Sequence, residues 1–374
     1  MSSPLAAPDP RVFRPALEPL APYEGGKPVE EVQRELGLER VVKLASNEGP
    51  YGPFPAAREA LARVTEELNR YPDGNAYRLR AALAERHDVQ LEEVVHGAGA
   101  DGILSYVSQA LLDPGDEVVF GWPSFASYPL HAMKMGAAPR PVPLRDGAYD
   151  LDALLTAVGP KTKIVYVCTP NNPTGTMTGR AELTAFLDAV PDTVLTVIDQ
   201  AYFEYVDEPD YPDAIDEYAK QGRRVLVLRT FSKIYGLAGL RVGYGIGHAS
   251  VVEACAKVRP AFDVTLAAQE AALASLDDAD ELARRRRANS EGRVELECLL
   301  REAGMEPLGP AVANFLFVET GSDGRELFDA LLRQGVIVRP MHGFGAPTAV
   351  RISVGTPDEH AFLADALTRI RAAV

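Results

Sequence analysis

Lys233 stands at the end of an apolar run, a place where a lysine is rarely left idle. The segment VLVLRTFSKIYGLAGLRVGYG reads as a buried strand ending in Thr230, Ser232 and Lys233, with Arg241 shortly after. Hydroxyls and an arginine among small residues can enclose a phosphate, and an amine held with them can condense with a carbonyl. The ordinary alternative is a surface lysine; the buried strand before it argues against that. A second apolar strand, VLTVID, ends in Asp199, with Tyr202 just beyond. An acid closing a buried strand is costly unless it is paired, and a pyridinium nitrogen would be such a partner. A third strand, KIVYVC, runs into Thr169-Pro170-Asn171-Asn172-Pro173-Thr174-Gly175. Polar residues at the carboxyl edge of a strand are where open α/β sheets bind ligands. Asn172 brings one acceptor and two donors, although a plain Asn-Pro turn would read the same way.

Gly97-Ala98-Gly99-Ala100-Asp101-Gly102 is a literal GxGxxG between a strand and a helix. Such a loop leaves helix N–H groups open to an anion. A dinucleotide site would also want an acid ending the next strand, about twenty residues on. Asp116 and Glu117 begin that strand instead, so an NAD-dependent dehydrogenase is disfavoured. Late in the chain Arg339 (VIVRP) and Arg351 (VRISVG) lie in apolar strands. Arginines so placed take a carboxylate or phosphate partner, unless they face solvent on an alternating strand.

Short apolar strands alternating with helices position these residues. VVHGAG, DEVVFG, TKIVYVC, TVLTVID, RRVLVLRTF and RVGYGIG read as strands of an α/β domain with a mostly parallel, buried sheet. Residues 55–69 and 79–87 read as helices, and a long helical stretch from Thr265 to about Ala303 breaks near the Asp277–Asp280 cluster. ANFLFVE, GRELFDALLRQG, VIVRP, AVRISVG and a last helix make a smaller α+β unit. The expected division is residues 1–46 as an arm joining the small domain, 47–265 as the large domain, and 266–374 as the small one. The 374 residues suit such a pair.

The net charge of −15 argues against nucleic acid as a partner. The basic run Arg284–Arg287 reads as a solvated helix face with acidic neighbours. No apolar run reaches the roughly 18 residues that span a bilayer, and the N-terminus lacks the pattern of a signal peptide. Cys168, Cys255 and Cys298 form no metal pattern and suit a reducing, cytoplasmic compartment; no metal site is expected.

LASNEGPYGP, RYPDG, NNPTG, IDQAY, RTFSKIYGLAGLR, ANF and VRISVG, in this order along nearly the whole chain, resemble the class I/II, fold-type-I pyridoxal-phosphate aminotransferases. The histidinol-phosphate aminotransferase branch is the nearest match. The resemblance implies a seven-stranded sheet in the large domain and pyridoxal 5'-phosphate as cofactor. It assigns Lys233 to carry the cofactor, Asp199 to its ring nitrogen, and Tyr202 and Asn172 to its ring hydroxyl. Phe125 would stack on the ring. Ala100, Asp101, Thr230, Ser232 and Arg241 would hold the phosphate, with Gly99 in the same loop. Tyr71 would cross a homodimer interface to the partner's cofactor. Tyr23, Asn47, Asn314, Arg339 and Arg351 would face substrate. One departure is visible: the family writes Asp-Glu-Ala-Tyr, and position 200 here is Gln. Its side chain should point away from the ring, with little effect on the chemistry.

The implied reaction takes histidinol phosphate and 2-oxoglutarate to imidazole acetol phosphate and glutamate. An amino donor and a 2-oxoacid would share one site. An aromatic amino-acid aminotransferase is the near alternative, since that branch shares these motifs. A pyridoxal-phosphate lyase or decarboxylase is a further one.

Overall fold

The computed structural model describes residues 9–22 and 25–372. Its strands are β1 (Val42–Lys43), β2 (Val94–Gly97), β3 (Glu117–Trp122), β4 (Ala138–Pro143), β5 (Thr162–Cys168), β6 (Leu195–Asp199), β7 (Val225–Thr230), β8 (Gly243–Gly247), β9 (Phe315–Glu319), β10 (Val336–Ile337), β11 (Arg339–Pro340) and β12 (Ala349–Ser353). Seven of them form the central sheet in the order β2-β8-β7-β6-β5-β3-β4. Only β8 runs against its neighbours, so the sheet is mostly parallel, as expected. β6 and β7 are buried along their whole length, which is why their sequences are continuous apolar runs and not alternating ones. β4 was not foreseen: APRPVP carries a proline at every other position. It lies at the sheet edge, where a strand needs hydrogen bonds on one side only.

The helices are α1 (Val29–Leu36), α2 (Pro55–Val64), α3 (Tyr77–His87), α4 (Gly99–Leu111), α5 (Ser127–Lys134), α6 (Leu151–Ala157), α7 (Arg180–Ala189), α8 (Ala249–Val258), α9 (Leu266–Ser275), α10 (Ala279–Glu302), α11 (Gly324–Arg333) and α12 (Pro357–Ala372). The break between α9 and α10 falls at the acidic cluster, where Asp278 caps α10 by accepting from Glu281 N. Neither α5 nor α6 was anticipated from the sequence.

Two main apolar cores organise the chain. The larger surrounds the seven-stranded sheet and takes in α9 through Ala268, Ala271 and Ala272, beyond the expected boundary at residue 265. The smaller joins Val42 and Leu44 to β9, β12, α11 and α12. There β11, β12 and β9 form an antiparallel sheet, while β1 pairs with β10 in parallel. The early segment 42–44 therefore packs with the late strands. α10 spans both regions: Arg285 lies against residues 51–54 of the large unit, and Leu296 and Leu300 enter the smaller core.

Candidate active site

β5, β6 and β7 end side by side, and their carboxyl ends deliver Cys168, Asp199 and Thr230 to one cleft. The cleft holds about 840 Å³ of empty space, its mouth included. The small domain closes it with Arg339, Phe344 and Arg351, and the 45–47 loop forms another wall. Gly99, Ala100, Asp101, Phe125, Asn172, Tyr202, Ser232, Lys233 and Arg241 line it as well, so the structure brings most of the expected residues together.

Lys233 is the chemical centre. Its Nζ lies 3.4 Å from Ser46 O and 5.4 Å from the Tyr202 ring centre. Burial, reinforced by the Arg351 charge, brings its pKa down to about 7. A good fraction of this amine is therefore unprotonated and nucleophilic near neutral pH. Asp199 is buried, and burial raises its pKa, opposed by hydrogen bonds from Tyr128 and Ala201. Tyr128 Oη donates to Oδ2 at 2.8 Å, and Ala201 N donates to Oδ1 at 3.1 Å. A carboxylate has about four acceptor positions. Asp199 can thus take a further, cationic donor from the cleft.

At one end of the cleft the parts fit a phosphate. α4 begins at Gly99, so its first N–H groups have no partner within the helix. Arg241 lies over this helix start, with Nη2 3.3 Å from Ala98 O and Nη1 3.4 Å from Ser232 Oγ. Gly99 has φ +74°, and a Cβ there would sit 2.9 Å from Arg241 Nη2. Only glycine allows this approach. The Asp101 side chain is engaged within the protein. Its carboxylate receives His131 Nε2 at 3.2 Å. Burial would raise its pKa, but hydrogen bonds from His131 and Ser127 outweigh that and lower it. What Asp101 can offer an anion is its main-chain N–H at the helix start.

At the other end stand the two arginines. Arg339 and Arg351 are direct cross-strand partners in β11 and β12. Like charges placed opposite each other repel, and an anion between them would relieve the repulsion. Arg351 also donates Nη2 to Ala45 O at 2.9 Å and Nη1 to Asn172 Oδ1. Asn172 is held by this contact with its N–H groups left as donors. Tyr202 Oη accepts from Asn47 Nδ2 at 2.9 Å, which leaves its own proton to donate. Asn47, at φ +54°, donates its N–H to Ser353 Oγ at 3.0 Å and so joins this loop to β12.

Asn314 stands one layer back and does not line the cleft. Its Nδ2 donates to Asn47 O at 3.1 Å, and its buried Oδ1 has no protein partner among the described residues. Tyr71 does not line the cleft of its own chain: it is 81% exposed and stacks on Phe262 at 4.5 Å. Tyr23 lies outside the described residues. Gln200 points away from the cleft, donating to Pro212 O at 2.9 Å and accepting from Arg229 Nη2 at 3.3 Å. Sequence reasoning missed Tyr128. It follows Phe125 by one helical step in GWPSFASY, and its stack on Tyr166 at 4.4 Å aims its hydroxyl at Asp199. No group of His, Cys, Asp and Glu suited to a metal occurs among the described residues.

A buried lysine of lowered pKa at the carboxyl edge of such a sheet, between a helix start that fits a phosphate and a cross-strand pair of arginines, marks a lysine-dependent α/β enzyme. Comparison with known proteins sharpens this. Residues 39–367 match the family model "Aminotransferase class I and II", and the chain belongs to that family. It is 45% identical over 360 residues to the histidinol-phosphate aminotransferase of Moorella thermoacetica, covering 96% of this chain and 93% of that protein. Histidinol-phosphate aminotransferase 2 of Pseudomonas aeruginosa is 44% identical, with 96% and 97% covered. Among solved structures, histidinol-phosphate aminotransferase from Sinorhizobium meliloti in complex with pyridoxal-5'-phosphate superposes with a TM-score of 0.87. It is 29% identical and covers 97% of this chain and 98% of that one. Aspartate aminotransferase from Thermus thermophilus with maleate gives 0.79 at 26% identity, with 93% and 97% covered.

Proposed function

We propose that this chain is a pyridoxal-phosphate aminotransferase that converts histidinol phosphate and 2-oxoglutarate to imidazole acetol phosphate and glutamate, a step of histidine biosynthesis. One observation carries the reading: the Lys233 amine shares a cleft with an anion cradle on one side and a register-matched pair of arginines on the other. The near-full-length relatives named as this enzyme support it. Bound pyridoxal phosphate supplies an electron sink that lets a proton leave the amine-bearing carbon of a substrate.

The chain's own residues then have separable tasks. The α4 start, Thr230, Ser232 and Arg241 hold the phosphate. Asp199, fixed by Tyr128, keeps the ring nitrogen protonated. Tyr202 and Asn172 donate to the ring hydroxyl, and Phe125 covers the ring face. Lys233 Nζ takes the substrate proton and returns it, a role its pKa of about 7 suits. Arg351 binds the carboxylate of glutamate, and Arg339 serves the phosphate of the other substrate with Tyr23. Asn47 orients Tyr202, and Asn314 holds Asn47. Arginines on neighbouring strands suit a site that must accept two different anions in turn.

The working unit is a homodimer in the cytoplasm. The exposed stacked pair of Tyr71 and Phe262 supports a surface that a second copy covers. Among the described residues no helix is long and apolar enough to cross a membrane.

The test is the visible absorbance of the cofactor-loaded protein, before and after L-histidinol phosphate without any 2-oxoacid. Replacement of the lysine-bound cofactor band by that of the amine form is expected. An unmoved band that phenylalanine shifts would transfer the reading to an aromatic aminotransferase. No band after adding pyridoxal phosphate would end both.

A further inference from the structure

Three arginines of the basic run in α10, Arg284, Arg286 and Arg287, are exposed as the sequence suggests, but Arg285 is buried. Glu281, Arg285, Asn289 and Arg293 recur at every fourth position and form one stripe along the helix. Arg285 has a side chain only 2% exposed. Glu281 holds its Nε at 2.7 Å, and the guanidinium lies 4.4 Å from the Phe54 ring centre. Its remaining nitrogens end on main-chain oxygens. Nη2 donates to Gly52 O at 2.6 Å, and Nη1 donates to Ile234 O at 3.0 Å and Tyr51 O at 3.4 Å. Ile234 is the residue after Lys233. Further along the stripe, Asn289 Nδ2 and Arg293 Nη1 each donate to Ala313 O at 3.4 Å. Ala313 precedes Asn314, which holds Asn47, which in turn holds Tyr202.

The backbone around these contacts has little room. A Cβ on Gly49 would lie 3.1 Å from Lys233 O. Gly236, at φ +70°, would place one 2.8 Å from Tyr51 O. The carbonyls that Arg285 gathers are therefore those that fix where the Lys233 turn sits against the 49–52 loop. A planar fork with five N–H donors can serve three carbonyls and a carboxylate together; an ammonium group has only three donors. The same helix enters the smaller core through Leu296 and Leu300, beside β12 with Arg351.

We infer that Arg285 is a positioning residue for Lys233, and that α10 relays the placement of the arginine-bearing sheet to that amine. The inference rests on the assignment of Lys233 as the cofactor-bearing residue. Arg285 touches neither cofactor nor substrate and acts through the main chain of Ile234 and Gly52.

The test compares Arg285→Ala, Arg285→Lys and Arg293→Ala with Arg287→Ala, which removes the same charge from an exposed position. In the cofactor-free protein, hydrogen exchange by mass spectrometry should rise in Arg285→Ala at residues 234–237 and 51–54, and not across the sheet. With cofactor bound, its visible circular dichroism should change. The kcat should fall about tenfold or more while KM for the amino donor moves less than about threefold, since a small misplacement of a reacting group costs rate more than binding. Arg285→Lys should recover part of the loss, and Arg287→Ala should behave as wild type. If Arg285→Ala does not fold, Arg285→Lys and Arg293→Ala carry the same readouts at smaller amplitude. A lower melting temperature with unchanged kcat, dichroism and local exchange would overturn the inference and leave Arg285 a structural contact. A wild-type protein without a visible band would instead defeat the assignment of Lys233, while the exchange data still decide whether Arg285 holds the 234 turn.

Discussion

Lys233 is a basic side chain whose burial sets both its chemistry and a cost. Its folded pKa, about 7, lies below the ordinary lysine value. Between these two values the unfolded chain binds a proton that the folded chain does not. Folding stability of the cofactor-free protein must therefore rise with pH through that window, and the penalty is complete below it. Lys233→Met, which keeps the volume and removes the titration, should stabilise the cofactor-free protein at pH 7 by on the order of a few kcal/mol, read as a raised melting temperature. That gain should fade as pH approaches the ordinary lysine range. A gain independent of pH would mean that Lys233 is not held neutral. The same variant should have no transaminase activity and no lysine-bound cofactor band. Asp199→Ala should retain the cofactor, because the phosphate cradle is elsewhere, but turn over about a hundredfold or more slowly, the usual scale for losing a preorganised charge. Single-turnover absorbance kinetics would separate that loss from weaker binding.

At the scale of elements, the phosphate end depends on how closely β8 approaches the start of α4. A Cβ on Gly243 would lie 2.7 Å from Ala100 N and 2.7 Å from Gly99 C, both main-chain atoms that cannot step aside cheaply. Gly243→Ala should push the helix start away from Arg241, weaken pyridoxal-phosphate binding about tenfold, and cost about 1–3 kcal/mol of stability. Gly239→Ala, in open space on the neighbouring turn, should do neither. Cofactor titration by fluorescence and thermal melts would check both. The glycines of the GAGADG loop were legible as an anion cradle. Gly243 was not, because its constraint comes from α4, which lies far away in the chain.

For the molecule as a whole, the active unit should be larger than one chain. Tyr71, in the segment before α3, is exposed and stacks on Phe262. Tyr71→Ala and Lys233→Ala should each be nearly inactive alone. Mixed and allowed to exchange subunits, they should regain activity, since one of the two sites in each hybrid would hold an intact lysine and an intact tyrosine from the other chain. Absence of recovery in a sample that sedimentation shows to contain hybrid dimers would place the function of Tyr71 elsewhere.

By itself, the sequence determined the chemistry-bearing residues of each strand end and the mostly parallel sheet. Lys233, Asp199 and Asn172 each follow an apolar run that only a buried strand accommodates, so local pattern was enough. The tertiary structure decided what no local pattern contains. It set Arg339 opposite Arg351 through strand register, and it aimed Tyr128 at Asp199 through a stack on Tyr166. It withdrew Asn314 to a supporting layer and gave the Asp101 carboxylate to His131. It also buried one arginine of a run that otherwise stays exposed, so that Arg285 grips the carbonyls of Gly52 and Ile234. In each case the partner lies on another element, and only the packing of the two cores and of the helix spanning them brings the pair within hydrogen-bond reach.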